Sequence, residues 1–141
     1  MRIVIINGPN MNLLGLREPQ LYGTRTMEEY MEELSAAYPD IDFEYMQSNH
    51  EGDLIDWLQE TGFEADGIIL NAAGYTHTSV AIRDAVAAIT TPVVEVHMTD
   101  IVNREPFRKI SMLSDVCATT ISGFGLDSYG KAVRYFIEKK S

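Results

Sequence analysis

The run Val93-Val94-Glu95-Val96-His97 places a carboxylate and an imidazole two positions apart. Strand periodicity sends such a pair to the same side of the chain. A carboxylate that orients a neighbouring imidazole and stabilises its protonated form prepares a general acid. The apolar neighbours make this strand read as buried, where an isolated carboxylate is costly unless paired. A glutamate and a histidine hydrated separately at a frayed strand end are the plainer alternative. A second set stands near the start, where Asn10 and Asn12 offer amide hydrogens and Arg17 and Tyr22 put a cation beside an ionisable phenol. A surface loop pinned by Tyr22, with Arg17 solvated, is the plainer alternative there. Arg104 and Arg108, four apart, would share a face if their segment is helical, and His77 and Asp84, seven apart, could do likewise.

The elements that must position these groups alternate. An unbroken β-branched run, Ile3 to Ile6, makes Arg2 to Ile6 the first strand, stopped by Asn7-Gly8-Pro9-Asn10. Thr26-Met27-Glu28-Glu29 has capping-box spacing and opens a helix to Tyr38, so Asn7 to Arg25 reads as loop with one short turn at Met11 to Leu14. Connections longer than about 12 to 15 residues are uncommon in compact domains and usually belong to lids or binding sites. Ile41 to Met46 is a second strand. Ser48-Asn49-His50-Glu51 repeats the capping pattern before a helix with Leu54, Ile55, Trp57 and Leu58 on its apolar side, His50 falling in its first turn as a structural residue. Gly67 to Leu70, Pro92 to Val96 and Val116 to Ile121 are the remaining strands. A helix capped within Tyr75 to Ser79 runs to about Ala88, a turn is expected at Glu105 to Lys109, and the last helix spans about Ser128 to Lys139.

Five short strands alternating with helices predict an α/β fold, a doubly wound parallel sheet of order 2-1-3-4-5 with helices on both faces. Ligands in such sheets bind beyond the carboxyl ends of the strands, at the switch point between the first and third. Asn7 and Asn10 follow the first strand and Asn71 the third, which predicts neutral hydrogen-bonding groups in a pocket there. Arg17, Arg104 and Arg108, in connections at its edge, point to an anionic ligand.

Composition narrows the classes. A chain of 141 residues predicts one domain, and its net charge of −10 argues against general affinity for nucleic acid or anionic membranes. No apolar run approaches the roughly 18 residues that span a bilayer, and no secretory leader is read, so a soluble cytoplasmic protein is expected. Cys117, the single cysteine, sits in an apolar run and reads as a buried, inert thiol. No two histidines have metal-ligand spacing, and Ser128 stands where a dinucleotide fingerprint needs a third glycine, so neither metal nor cofactor is expected. Asn7 and Asn71 replace the acidic residues of a phosphorylatable receiver, and NGPNMN lacks the hydroxyls of a flavin phosphate loop.

The segments NGPNMNLLGLREPQLYG, QSNHEGDLIDWL, NAAGYTHTSVAIRDA and VEVHMTDIVNREPFR resemble, in order and spacing, the motifs of the type II 3-dehydroquinate dehydratases. The resemblance covers nearly the whole chain and implies a flavodoxin-like fold, one catalytic domain over 1–141 with a lid loop at about 15–25, and dehydration of 3-dehydroquinate to 3-dehydroshikimate in the shikimate pathway. By the same likeness Tyr22 is the base, activated by Arg17 with Arg104 assisting. Asn12 holds a water against the enolate, and His97 is the acid with Glu95 as its orienting partner. Asn71, His77, Arg108, Met98 and Thr99 bind substrate, Asn10 is a further candidate, and Asp84 reaches a neighbouring subunit's site in a dodecamer built from trimers. Two departures stand out: Ala72 where proline is usual, which leaves the turn less fixed, and Thr99 where serine is more usual, which keeps the hydroxyl. The unrelated type I enzymes use a Schiff-base lysine, and Lys109, Lys131, Lys139 and Lys140 lie outside the expected pocket. A protein of the same fold that binds a small hydroxy-carboxylate without dehydrating it is the alternative.

Overall fold

The computed structural model describes residues 1–16, 18, 20 and 24–140. Its elements in order are β1 (Arg2–Asn7), α1 (Met27–Ala37), β2 (Asp42–Gln47), α2 (Glu51–Thr61), β3 (Gly67–Asn71), α3 (Val80–Ala88), β4 (Val93–His97), β5 (Thr119–Ser122) and α4 (Asp127–Lys140). The strands form one sheet of order β2-β1-β3-β4-β5, every pairing parallel. This is the doubly wound α/β architecture that the strand–helix alternation predicts, and the flavodoxin-like fold that the family resemblance implies.

Strand periodicity divides the core. Ile3 and Ile5 pack with Met27, Tyr30 and Leu34 of α1 and with Tyr129, Val133 and Phe136 of α4. Val4 and Ile6 point the other way, to Leu54 and Leu58 of α2 and Ile82 and Val86 of α3. All four β1 side chains are fully buried, each contributing about 1.5–3 kcal/mol of transfer free energy, so β1 is held at the centre of the sheet.

Local signals set most boundaries. Thr26 Oγ1 accepts the Glu29 N–H at 3.2 Å and so caps α1, as its spacing predicts. At α2 the expected box is replaced. The helix starts one residue after His50, which takes the N-cap position, while Ser48 accepts the His50 N–H and donates to Asp53 Oδ2 at 2.6 Å. Glu51 instead receives the Ser79 hydroxyl at 2.5 Å, and Ser79 caps α3 by accepting the Ile82 N–H, so the two helix starts are tied together.

Three expectations are corrected here. His77 lies in a 3-10 turn, Ala73–His77, and extended Ser79 separates it from α3, so His77 and Asp84 do not share a helix face. Arg104 and Arg108 belong to two successive 3-10 turns, Ile101–Asn103 with Arg104 as its C-cap and Pro106–Arg108, because Pro106 restarts the turn. Val116 and Cys117 precede β5 in a turn, both N–H groups bonding to the Leu113 carbonyl. Among the described residues no helix is long and apolar enough to cross a membrane.

Candidate active site

A cleft opens beyond the carboxyl ends of β1, β3 and β4, at the switch point of the strand order. Its walls carry Asn10, Asn71, His77, His97, Met98, Thr99, Arg104 and Arg108 among the residues singled out from the sequence. Pro9, Met11, Ala73, Gly74 and Ile101 complete the lining and carried no chemical signal of their own. Asn12 is exposed beside the cleft, its Oδ1 3.5 Å from Gln47 Nε2, and does not line it. Asp84 is exposed on α3 and also stands outside the cleft of its own chain. Tyr22 and Arg17 lie outside the described residues.

The floor depends on a close approach of two loops. Gly8 N–H donates to the Asn71 carbonyl at 2.8 Å. A Cβ at Gly8 would stand 2.6 Å from the Ala72 carbonyl oxygen, closer than side-chain carbons come to backbone, so glycine lets the chain after β1 pass the chain after β3. Ala72 has φ −75°, within the range proline would impose, so the turn keeps its shape without the ring. Ala73 next to it has φ +54°, a left-handed conformation that costs a non-glycine residue free energy. Asn71 Oδ1 accepts the Ala73 N–H at 3.1 Å and helps to hold that conformation.

The pair on β4 is formed as strand periodicity requires. His97 Nε2 lies 2.5 Å from Glu95 Oε2. Glu95 is fully buried and accepts three further hydrogen bonds: Ser111 Oγ at 2.5 Å, Ser114 Oγ at 2.8 Å and Thr120 Oγ1 at 2.9 Å. Thr120 is the residue paired with Glu95 across the β4–β5 ladder. Burial alone would raise the Glu95 carboxyl. The hydrogen bond and charge of His97, with the Ser111 and Ser114 hydroxyls, outweigh it and bring the value to about 2. Glu95 is therefore an anion that accepts on both oxygens, and a carboxylate can only accept, so His97 carries its hydrogen on Nε2 and presents Nδ1 to any proton exchange.

This depressed value predicts an acid-labile contribution to stability. An unfolded glutamate titrates near 4.5 and the folded one at about 2. The contribution is thus complete above about pH 4.5 and is lost as pH falls through that window towards 2. Urea midpoints measured at intervals from pH 6 to 2.5 should fall in this range, and a Glu95→Gln variant should show a flatter profile. Identical slopes for both chains would exclude Glu95 as the cause.

The other wall is cationic. Arg108 Nε pairs with Glu105 Oε2 at 2.7 Å, and Arg104 Nη1 lies 3.4 Å from Thr99 Oγ1. His77 Nδ1 donates to the Ile110 carbonyl at 2.8 Å, which fixes its hydrogen there and leaves Nε2 as the acceptor of the neutral ring. Asn7, expected among the pocket groups, is instead fully buried behind it, bonded to Tyr129 and Tyr45. Cys117 is half-buried rather than fully buried, and burial pushes its thiol up to about 12, which disfavours a thiolate near neutrality. Ser111, Ser114, Thr120 and Tyr129 are the positions missed from the sequence. For Thr120 a signal existed, since the β4–β5 register places it opposite Glu95; the serines read as ordinary loop residues.

The chain is similar to known proteins along nearly its whole length. The family model "Dehydroquinase class II" matches residues 1–137. A 3-dehydroquinate dehydratase of an Exiguobacterium species is 52% identical over 139 residues, covering 98% of this chain and 95% of that protein. One from Campylobacter jejuni is 49% identical over 140 residues, covering 98% of this chain and 88% of its own length. The crystal structure of the type II dehydroquinase from Butyrivibrio crossotus superposes with a TM-score of 0.93 at 42% identity, covering 97% of each chain. That of Propionibacterium acnes gives a TM-score of 0.91 at 34% identity, covering 95% of this chain and 94% of the other. By matched length, sequence identity and fold together, this chain belongs to the class II dehydroquinase family, a family of hydro-lyases.

Proposed function

We propose that the chain dehydrates 3-dehydroquinate to 3-dehydroshikimate within the shikimate pathway, acting as a single catalytic domain closed by a lid at about residues 15–25. The observation that carries this reading is the His97–Glu95 pair at 2.5 Å in a cleft that also bears Arg104 and Arg108. An acid sharing a cleft with two guanidinium groups suits a hydroxylated carboxylate that must lose its hydroxyl as water.

In this reading Tyr22, as phenolate, removes a proton from the carbon beside the ketone. The electron pair moves into the carbonyl to give an enolate. A phenol titrates near 10, and each 1.36 kcal/mol of preferential stabilisation of the phenolate lowers that by one unit, a role assigned to Arg17 with help from Arg104. Asn12, beside the cleft, holds a water against the enolate oxygen. Collapse of the enolate expels the hydroxyl, which takes a proton from His97 Nδ1 and leaves as water. Glu95 holds the ring through Nε2 both before the transfer, as imidazolium, and after it, as neutral imidazole, and stays ionised. The Met98 and Thr99 backbone and the Thr99 hydroxyl take the substrate carboxylate, while Asn71, His77 and Arg108, with Asn10 as a further candidate, meet the rest of the substrate. Asp84 completes the site of a neighbouring subunit, within a dodecamer built from trimers.

The test is the ultraviolet absorbance of the conjugated enone after 3-dehydroquinate is added to purified protein. The parent should produce enone, and Tyr22→Phe should lower kcat by about 10²- to 10⁴-fold, the range for loss of a positioned base. A folded parent that forms no enone would reject the reaction and leave binding of a small hydroxy-carboxylate as the surviving reading. A stable and fully active monomer in sedimentation would remove Asp84 from the shared site.

A further inference from the structure

Tyr129 of α4 counts in the sequence as one apolar position on a helix face, and its ring does pack near Tyr30, with centroids 6.2 Å apart. Its hydroxyl has a different task. The side chain is fully buried, and the phenol stands between the two asparagines that end β1 and β3. It donates to Asn7 Oδ1 at 2.8 Å and accepts from Asn71 Nδ2 at 3.0 Å.

The direction of each bond follows from one donor that cannot turn over. Ala73 N–H is a backbone group 3.1 Å from Asn71 Oδ1, and a reversed Asn71 amide would set NH₂ against N–H. Asn71 must therefore turn Nδ2 to Tyr129. A phenol has one hydrogen, so Tyr129 gives it to Asn7 Oδ1, and Asn7 Nδ2 is left to donate to Tyr45 at 3.3 Å. Burial raises the Tyr129 phenol above its ordinary range, which keeps that hydrogen in place. Asn71 then has one amide hydrogen committed to Tyr129. Its nitrogen otherwise meets the Met11 thioether at 3.7 Å, a weak acceptor, and both residues line the cleft.

We infer that Tyr129 is a positioning residue: by holding one amide hydrogen of Asn71 it aims the other into the cleft, as a donor for a substrate oxygen. A group that can only donate is disfavoured at that point. The inference deepens the dehydratase reading and rests on it for its kinetic test.

Tyr129→Phe keeps the ring and removes the acceptor. It is expected to raise KM about tenfold, the scale of one lost hydrogen bond, with kcat within about threefold of the parent. In an Asn71→Ala background the same change should move KM by less than about twofold, because its target is gone. Equal increases in the two backgrounds, or an unchanged KM in the folded single variant, would overturn the inference. A second readout needs neither turnover nor a folded variant. In ¹H–¹⁵N spectra of the parent, the Asn71 amide hydrogen held by Tyr129 should exchange with solvent at least about tenfold more slowly than those of exposed Asn12. Exchange as fast as Asn12 overturns the inference. A parent that protects Asn71 but forms no enone defeats the dehydratase reading and supports the hold of Tyr129 on Asn71.

Discussion

His97→Ala is expected to lower kcat by about 10²- to 10⁴-fold, the range for removing a general acid, with a much smaller change in KM. The reason lies in where the ring is held. Glu95 occupies Nε2 at 2.5 Å, which in the proposed reaction leaves Nδ1 to meet the departing hydroxyl, and His97 is buried enough, at 6% exposure, that bulk water is a poor substitute. The glutamate keeps its three hydroxyl donors, Ser111, Ser114 and Thr120, so the strand end should stay folded without the imidazole. The change also removes one partner of the buried pair, so the unfolding midpoint should fall, and loss of turnover in a variant shown to be folded under assay conditions separates chemistry from packing. Added imidazole should restore part of the rate by filling the vacated space. A kcat within about tenfold of the parent would remove His97 from the acid role.

The second large effect is on stability. Glu95→Ala should cost about 3–5 kcal/mol, the range for removing one partner of a buried charge pair. Four donors converge on this carboxylate and all would lose their acceptor at once. Typical domains have only about 5–15 kcal/mol in total, so the variant should unfold at markedly lower urea. Ser111 also accepts the Leu113 N–H and lies in the connection after Arg108, so the loop carrying the cationic wall should loosen as well. Ser114→Ala, which removes a single donor, is expected to cost about 1 kcal/mol. Urea unfolding of both variants checks the pair. Similar small losses for both would mean that Glu95 does not organise this connection.

Much of the positioning was legible from local pattern. The β-branched run of β1, the capping spacing at Thr26 and the two-residue separation of Glu95 and His97 are short-range features, and each appears where the spacing places it. The doubly wound order followed from alternation and size, and it put the cleft at the ends of β1 and β3. Boundaries slipped where two local preferences competed, as at Ser48, whose hydroxyl turned to Asp53, and at Val116, drawn into a turn by Leu113.

What the chain decided by itself, then, is the set of elements, their alternation and the side on which each reactive group emerges, because those depend on neighbours within one turn or one pleat. Tertiary structure decided the partners. Thr120 meets Glu95 only through the register of β5 on β4, and Arg104 joins Arg108 on one wall through two separate 3-10 turns. Tyr129 reaches Asn7 across 122 positions because α4 packs on the sheet face that carries Ile3 and Ile5, and no periodicity within α4 distinguishes a hydroxyl bound for a strand end from an aromatic in the core. Contacts that distant are selected by how whole faces fit together, which is a property of the packed sheet and its helices.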